Sequence, residues 1–315
     1  MSIIEHYKAA RELTLKDGTM FELGKQRIDG QELLAFVNAP SSLRDMWLLA
    51  TSHGDADYLV YNDERLSYRQ AAVQVAGFAH WLVEQGIEPG DRVAIAMRNY
   101  PEWMLAHWAI NAVGAVVVGL NAWWVGEEMA YALKDSQPKL LIADDRRLLT
   151  FAGIAADFPH MRVIAVREDS PAVTATQWGD CVAGGAAMPE VTIDPDSEAL
   201  VFYTSGTTGR PKGAQLTHRS CVANIMNVAA MGRIYASTQA KIKGAELSEA
   251  VASPAPLALI ATPLFHVTAN NCILQAGSVA GGKFVLMYKW DPIEAMRLIQ
   301  AEQLTTLSAV PMMTR

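Results

Sequence analysis

Short, unbroken apolar runs alternate along this chain with segments whose apolar residues recur every three or four positions. Asp57–Asn62 is apolar and β-prone, and a second such piece, Arg65–Tyr68, follows it. From Ser67 the period changes. Ala72, Val75, Ala76, Ala79, Leu82 and Val83 fall on one helical face, Ser67 is a capping residue, and Gly86 is a terminator, so a helix is expected to about Gln85. After a Gly90-Asp91 turn, Arg92–Met97 reads as a buried strand. Pro101 suits the first position of a helix through Ala112. Ala115–Leu120, Lys139–Ala143 and Arg162–Val166 read as strands, with helices at Glu127–Asp135 and near Arg147–Ala155 between them.

This alternation predicts an α/β fold with mostly parallel sheets flanked by helices, because strands buried on both faces read as continuous apolar runs. Residues 167–197 break the rhythm with Pro, Gly, Ala and acidic residues and read as a connector. A second α/β segment starts at Leu200, and Gly232–Pro256 reads as an irregular surface excursion. The division expected is a lead-in segment 1–40, a first α/β subdomain 41–180 and a second 181–315. No internal repeat or low-complexity tract is present.

Composition changes this picture little. The chain has 315 residues, 51% of them hydrophobic and 19% charged, which suffices for a large core. A net charge of −7 without a basic stripe argues against nucleic acid or anionic membrane as a partner. Cys181, Cys221 and Cys272 are few and far apart, with no C-x-x-C pair, and fit thiols in a reducing compartment. Residues 1–11 lack the apolar core of a signal peptide, and the longest apolar stretch, Ala109–Leu120, is too short to span a bilayer. A cytoplasmic protein is expected.

The chemistry concentrates in Tyr203-Thr204-Ser205-Gly206-Thr207-Thr208-Gly209-Arg210-Pro211-Lys212-Gly213, between the apolar strand Ala199–Tyr203 and a helix capped near Thr217. Gly206, Gly209 and Gly213 let bare backbone approach a ligand, and consecutive N–H groups make an anion-binding concavity. Four hydroxyls, from Thr204, Ser205, Thr207 and Thr208, and the Lys212 ammonium complete a polyphosphate cradle. A P-loop kinase or ATPase would place Ser or Thr directly after the lysine; Gly213 stands there instead. The plain alternative is a Gly- and Thr-rich surface loop, against which stand the preceding buried strand and the Pro-Lys-Gly exit.

The stretch Tyr203–Gly213 resembles the signature of the adenylate-forming superfamily, which includes acyl-CoA synthetases, luciferases and peptide-synthetase adenylation domains. Thr262-Pro263-Leu264-Phe265-His266-Val267 resembles that family's block at the carboxylate end of the substrate pocket. Leu66-Ser67-Tyr68, Gly90–Ala94 and Gly114–Asn121 with Trp123 and Trp124 look like the opening of long-chain and related acyl-CoA synthetases. The resemblance implies an incomplete large N-terminal domain of a ligase that joins a carboxylic acid to AMP with ATP and Mg²⁺, then passes the acyl group to CoA. It implies that Thr204, Ser205, Gly206, Thr207, Thr208, Gly209 and Lys212 hold the phosphates, and that Lys212 and His266 are the catalytic candidates, His266 beside the reacting carboxylate. His218 reads as structural, and Trp123 and Trp124 read as core.

In related enzymes the segment corresponding to Val267–Ala280 forms a wall of the acyl pocket. Its small residues leave room for a medium- or long-chain fatty acid, with an aromatic acid second. The family's later motifs, including its metal carboxylate and catalytic lysine, have no positions before Arg315, so no metal ligand is assigned. The chain alone is expected to be inactive and prone to self-association, as a homo-oligomer for example. A non-catalytic relative serving as a binding module is the competing reading.

Overall fold

The computed structural model describes residues 2–28, 30–183, 187–204, 209–245, 253–310 and 313. The helix α1 (Ile3–Thr14) and a hairpin of β1 (Leu23–Ile28) and β2 (Gln31–Phe36) lead into α2 (Leu43–Ala50). The strands β3 (Asp57–Tyr61) and β4 (Glu64–Ser67) precede α3 (Tyr68–Glu84), whose cap is Ser67, accepting from the Gln70 N–H. Then follow β5 (Arg92–Ala96), α4 (Pro101–Ala112), β6 (Val116–Gly119), α5 (Gly126–Ser136), β7 (Leu140–Asp144), α6 (Asp145–Ala152) and β8 (Arg162–Val166).

In the expected connector, β9 (Thr176–Gln177) adds to the sheet edge. There α7 (Trp178–Val182) places the Trp178 ring 4.8 Å from that of Phe78. The strands β10 (Glu198–Thr204) and β11 (Lys212–Thr217) come before α8 (His218–Ile242). The rest of the chain supplies β12 (Leu257–Ile260), a π-helix (Thr268–Gln275), α9 (Ala276–Val279), β13 (Lys283–Leu286), α10 (Pro292–Glu302) and β14 (Thr306–Ser308).

Two large sheets result. A seven-stranded sheet runs β11-β10-β6-β5-β7-β8-β9 and is parallel except for the β10–β11 pair. A five-stranded sheet runs β14-β12-β13-β3-β4 and is parallel except for β3–β4. Both sheets therefore draw strands from either side of residue 180.

The alternation of side chains along each strand assigns the layers. On β5, Val93 and Ile95 join the main core with α2, α3, α4, α8 and the π-helix, while Ala94 and Ala96 face α5 and α6. On β13, Phe284 and Leu286 face that same main core, and Val285 and Met287 face α10. The order is helices, sheet, helices, sheet, helix, and α4, in the middle layer, is buried over nearly its whole surface. That is why Pro101–Ala112 carries so few polar residues. Among the described residues no helix is long and apolar enough to cross a membrane.

The surface excursion expected at Gly232–Pro256 is corrected at its start: α8 continues through Gly232 to Ile242. The helical period of Ile225, Met226, Ala230 and Ile234 outweighs the one glycine. A Cβ on Gly232 would meet the Ser253 hydroxyl at 3.0 Å, so the glycine admits a neighbouring segment rather than ending the helix.

Candidate active site

The sequence expectation ran a loop straight from strand to helix. The structure inserts β11, which runs antiparallel to β10 so that Thr204 pairs with Lys212 and Tyr203 with Gly213 across the hairpin. Of the candidate residues, Ser205, Gly206, Thr207 and Thr208 lie outside the described residues. Thr204 and Lys212 are exposed at the open end of the hairpin, and the Thr204 hydroxyl lies 3.4 Å from the Lys212 carbonyl oxygen. Among the described residues the Lys212 ammonium makes no ion pair.

Two glycines are needed here for different reasons. Gly209 has φ +126°, a region that side chains rarely adopt. At Gly213 a Cβ would sit 2.9 Å from Val201 Cγ1. The hairpin is anchored from below by Tyr203, whose hydroxyl reaches the Ala132 carbonyl (3.1 Å) and Asp135 (2.8 Å) on α5.

Because β10, β6, β5 and β7 are parallel, their carboxyl ends share one edge, where such sheets place ligands. The segment after β6 ties that edge together. Trp124 meets the Tyr203 ring edge-on at 5.5 Å, and Trp123 meets Phe265 edge-on at 5.1 Å. One short segment thus touches both the hairpin and the block before His266. The expectation that both tryptophans are core holds for Trp124, which packs on the α5–α6 side; Trp123 is 57% exposed.

The Thr262–Val267 block is fixed by Asn99, just past β5. Its side chain donates to the carbonyls of Ile260 (3.3 Å) and Thr262 (3.0 Å) and accepts from the Leu264 N–H (3.0 Å). Three bonds from one buried amide join the ends of the two sheets. His266 stands exposed beyond it, with Nδ1 accepting from the Thr268 N–H at 3.4 Å. That contact leaves the ring proton on Nε2.

The wall expected over Val267–Ala280 consists of the π-helix and α9. It turns Cys272 outward and buries Asn270 and Asn271, which bond to Trp103 and to each other.

A cavity of about 280 Å³ opens beside this block, lined by Arg98, Trp123, Phe265, Tyr288, Lys289 and Trp290 among others. The Arg98 guanidinium lies between the rings of Trp123 (4.7 Å) and Tyr288 (5.0 Å), and its Nε donates to the Tyr288 carbonyl at 3.1 Å. The nearby carboxylate, Asp144, is held by Arg147 through two 3.1 Å contacts. Burial, reinforced by Arg147, lowers the Arg98 pKa. Among the described residues its guanidinium has no ion-pair partner. Arg98 and Asn99 were not singled out from the sequence; the available signal was their position immediately after a buried parallel strand.

No group of three or more His, Cys, Asp or Glu among the described residues is placed to hold a metal ion. Mg²⁺ commonly rides on substrate phosphates with only one or two carboxylates, so the hairpin chemistry is compatible with it while no side chain here is assigned to it.

The AMP-binding enzyme family matches residues 48–315. The chain belongs to this family. Its relatives are acid–CoA ligases: it is 32% identical over 248 residues to a feruloyl-CoA synthase of Amycolatopsis sp, covering 79% of this chain and 44% of the relative. It is 27% identical over 285 residues to a crotonobetaine/carnitine–CoA ligase of Salmonella typhi, covering 87% and 52%. Among solved structures, the o-succinylbenzoate–CoA synthetase of Bacillus subtilis in complex with AMP superposes with a TM-score of 0.62 at 24% identity, over 85% of this chain and 62% of that one. The chain spans about half the length of the curated relatives it matches. Its fold is that of the N-terminal part of adenylate-forming enzymes.

Proposed function

We propose that this chain supplies the phosphate-gripping hairpin and the carboxylate-facing histidine of an ATP-dependent acid–CoA ligase. The observation that carries the reading is Lys212, an exposed ammonium without an ion pair among the described residues, opposite Thr204 at the mouth of a hairpin joined through Trp124 and Trp123 to the His266 block. A carboxylate resists nucleophiles because of its charge; joining it to AMP removes the charge and installs a leaving group. A carboxylate oxygen attacks the α-phosphorus, and the bond from that phosphorus to the bridging oxygen breaks to release pyrophosphate. Lys212 and the hydroxyl of Thr204 stabilise charge gathering on the departing phosphates, and the Nε2–H of His266 donates to the carboxylate. Mg²⁺, when bound with ATP, supplies further charge neutralisation.

In the second step the CoA thiol gives up its proton, its sulfur attacks the acyl carbon, and the bond from that carbon to the phosphate oxygen breaks to release AMP. The cavity at Arg98 and Lys289 supports CoA as the thiol carrier, because cations among the faces of Trp123, Tyr288 and Trp290 suit a phosphorylated adenosine. For the acid, the 32% identity to a feruloyl-CoA synthase supports an aromatic acid ahead of a long alkyl chain.

Isothermal titration of ATP with Mg²⁺ into the chain tests the hairpin. Lys212→Ala is expected to weaken binding at least about tenfold with the melting temperature unchanged; equal affinity would remove the site. Adenylate formation yields acyl-AMP and pyrophosphate, with AMP released only when the thioester forms, whereas a kinase yields ADP. Thermal shifts with ferulate and palmitate separate the two classes of acid.

A further inference from the structure

We propose that the middle helical layer encloses a cluster of at least two ordered water molecules bound by His107, Asn111, Gln275, His218 and Trp47. All five residues are fully buried, and each keeps one polar atom without a partner: His107 Nδ1, Asn111 Oδ1, Gln275 Oε1, His218 Nε2 and Trp47 Nε1.

Their remaining atoms define what the free ones are. An amide nitrogen only donates, so Gln275 Nε2, 3.2 Å from His107 Nε2, makes that ring nitrogen an acceptor and puts the proton on Nδ1. His218 Nδ1 accepts from the Leu43 N–H at 3.2 Å, which puts its proton on Nε2. With the Trp47 indole the site presents three N–H donors and two carbonyl acceptors. Turning the Gln275 amide over exchanges donor and acceptor roles but leaves as many atoms unpaired.

Pairwise contacts link the five residues. Leu43 and Trp47 are one turn apart on α2, His107 and Asn111 one turn apart on α4, His218 opens α8 and Gln275 ends the π-helix. The Asn111 amide donates back to the His107 carbonyl at 2.9 Å, and the Trp108 ring lies 5.1 Å from His107 and 5.2 Å from Trp47. The two imidazoles are close enough that His218 adds to the lowering of the His107 pKa. Leaving this many buried atoms unpaired would consume a share of stability comparable to the whole net stability of a domain.

The ligand is uncharged. Burial keeps both imidazoles neutral at physiological pH, and no Lys, Arg, Asp or Glu belongs to the cluster; Asp45 on α2 is the acid that faces His218. Mixed buried donors and acceptors match water, and since a buried water makes about three hydrogen bonds, five free atoms need more than one.

The test uses the chain labelled with ¹⁵N at histidine. The expected result is one ring protonated at Nδ1 and another at Nε2, neither titrating above pH ~5, each N–H showing magnetisation transfer from water. Two such N–H signals without transfer from water would overturn the proposal. So would a crystal structure, at a resolution that shows ordered solvent, in which these atoms pair directly with protein groups; solvent density within hydrogen-bonding distance of them would support it.

Discussion

Two arginines in this protein lie between pairs of aromatic rings where the sheets meet. Arg167, just past β8, lies over Tyr61 and Tyr100 at 5.0 and 4.8 Å, and Arg98, just past β5, lies over Trp123 and Tyr288 at 4.7 and 5.0 Å. The difference is the counter-charge. Arg167 pairs with Glu64 at 2.6 Å and Glu102 at 3.0 Å, tying the β3–β4 hairpin and the start of α4 to the other sheet. Those carboxylates more than offset its desolvation, and its pKa rises. Arg98 has comparable rings, no ion pair among the described residues, and a lowered pKa. A partnered guanidinium at a sheet junction is a clasp, and an unpartnered one beside a cavity is left with its charge to offer, the basis of the CoA contact proposed above.

The largest expected effect is on the clasp. Arg167→Met should destabilise the fold by about 3 kcal/mol in urea unfolding, because Glu102, at 13% exposure, is left without its partner, and CoA affinity should be unchanged. A loss under about 1 kcal/mol would make the two arginines equivalent.

Acid separates the clasp from the interior. Burial holds His107 down to about 3 and His218 to about 4, against 6.5 for a free imidazole. Depressed values mean that their contribution is complete above pH ~6.5 and falls as pH drops, toward about 4 for His218 and about 3 for His107, by up to ~1.4 kcal/mol per histidine per pH unit. Unfolding at pH 7.5 and 5.5 should show this loss in the wild type and in Arg167→Met alike; a loss that vanishes in the variant would assign it to the clasp.

Arg98→Met should weaken CoA binding about tenfold while costing less than about 1 kcal/mol of stability. The reverse pattern would turn Arg98 into a second clasp. Smallest of all, Glu64→Gln should cost about 0.5 kcal/mol, because Glu64 is the exposed arm of the Arg167 pair.

Local structure was legible wherever local rules decide it. The Ser67 cap, the Pro101 start, the Thr217 cap and the bounds Arg162–Val166 follow from capping chemistry, proline's missing N–H and continuous apolar runs, and all four occur as read. The strand that follows the candidate phosphate loop was not legible. Lys212–Thr217 has neither strict alternation nor an apolar run, and its pairing partner β10 supplies the strand character.

Arg98 and Asn99 stayed invisible because nothing in Met97-Arg98-Asn99-Tyr100 tells a surface turn from a crevice. Asn99 acquires its role from carbonyls more than 160 residues away in sequence. The amino-acid order by itself determined most of the strands and helices and which residues are candidates for phosphate chemistry, since spacing and side-chain type act within a few residues. The tertiary structure alone decided which strands share a sheet, how Trp123 and Trp124 join the hairpin to His266, and which of two similar arginines is left without a counter-charge. Those outcomes depend on long-range pairing and on burial, which no local pattern encodes.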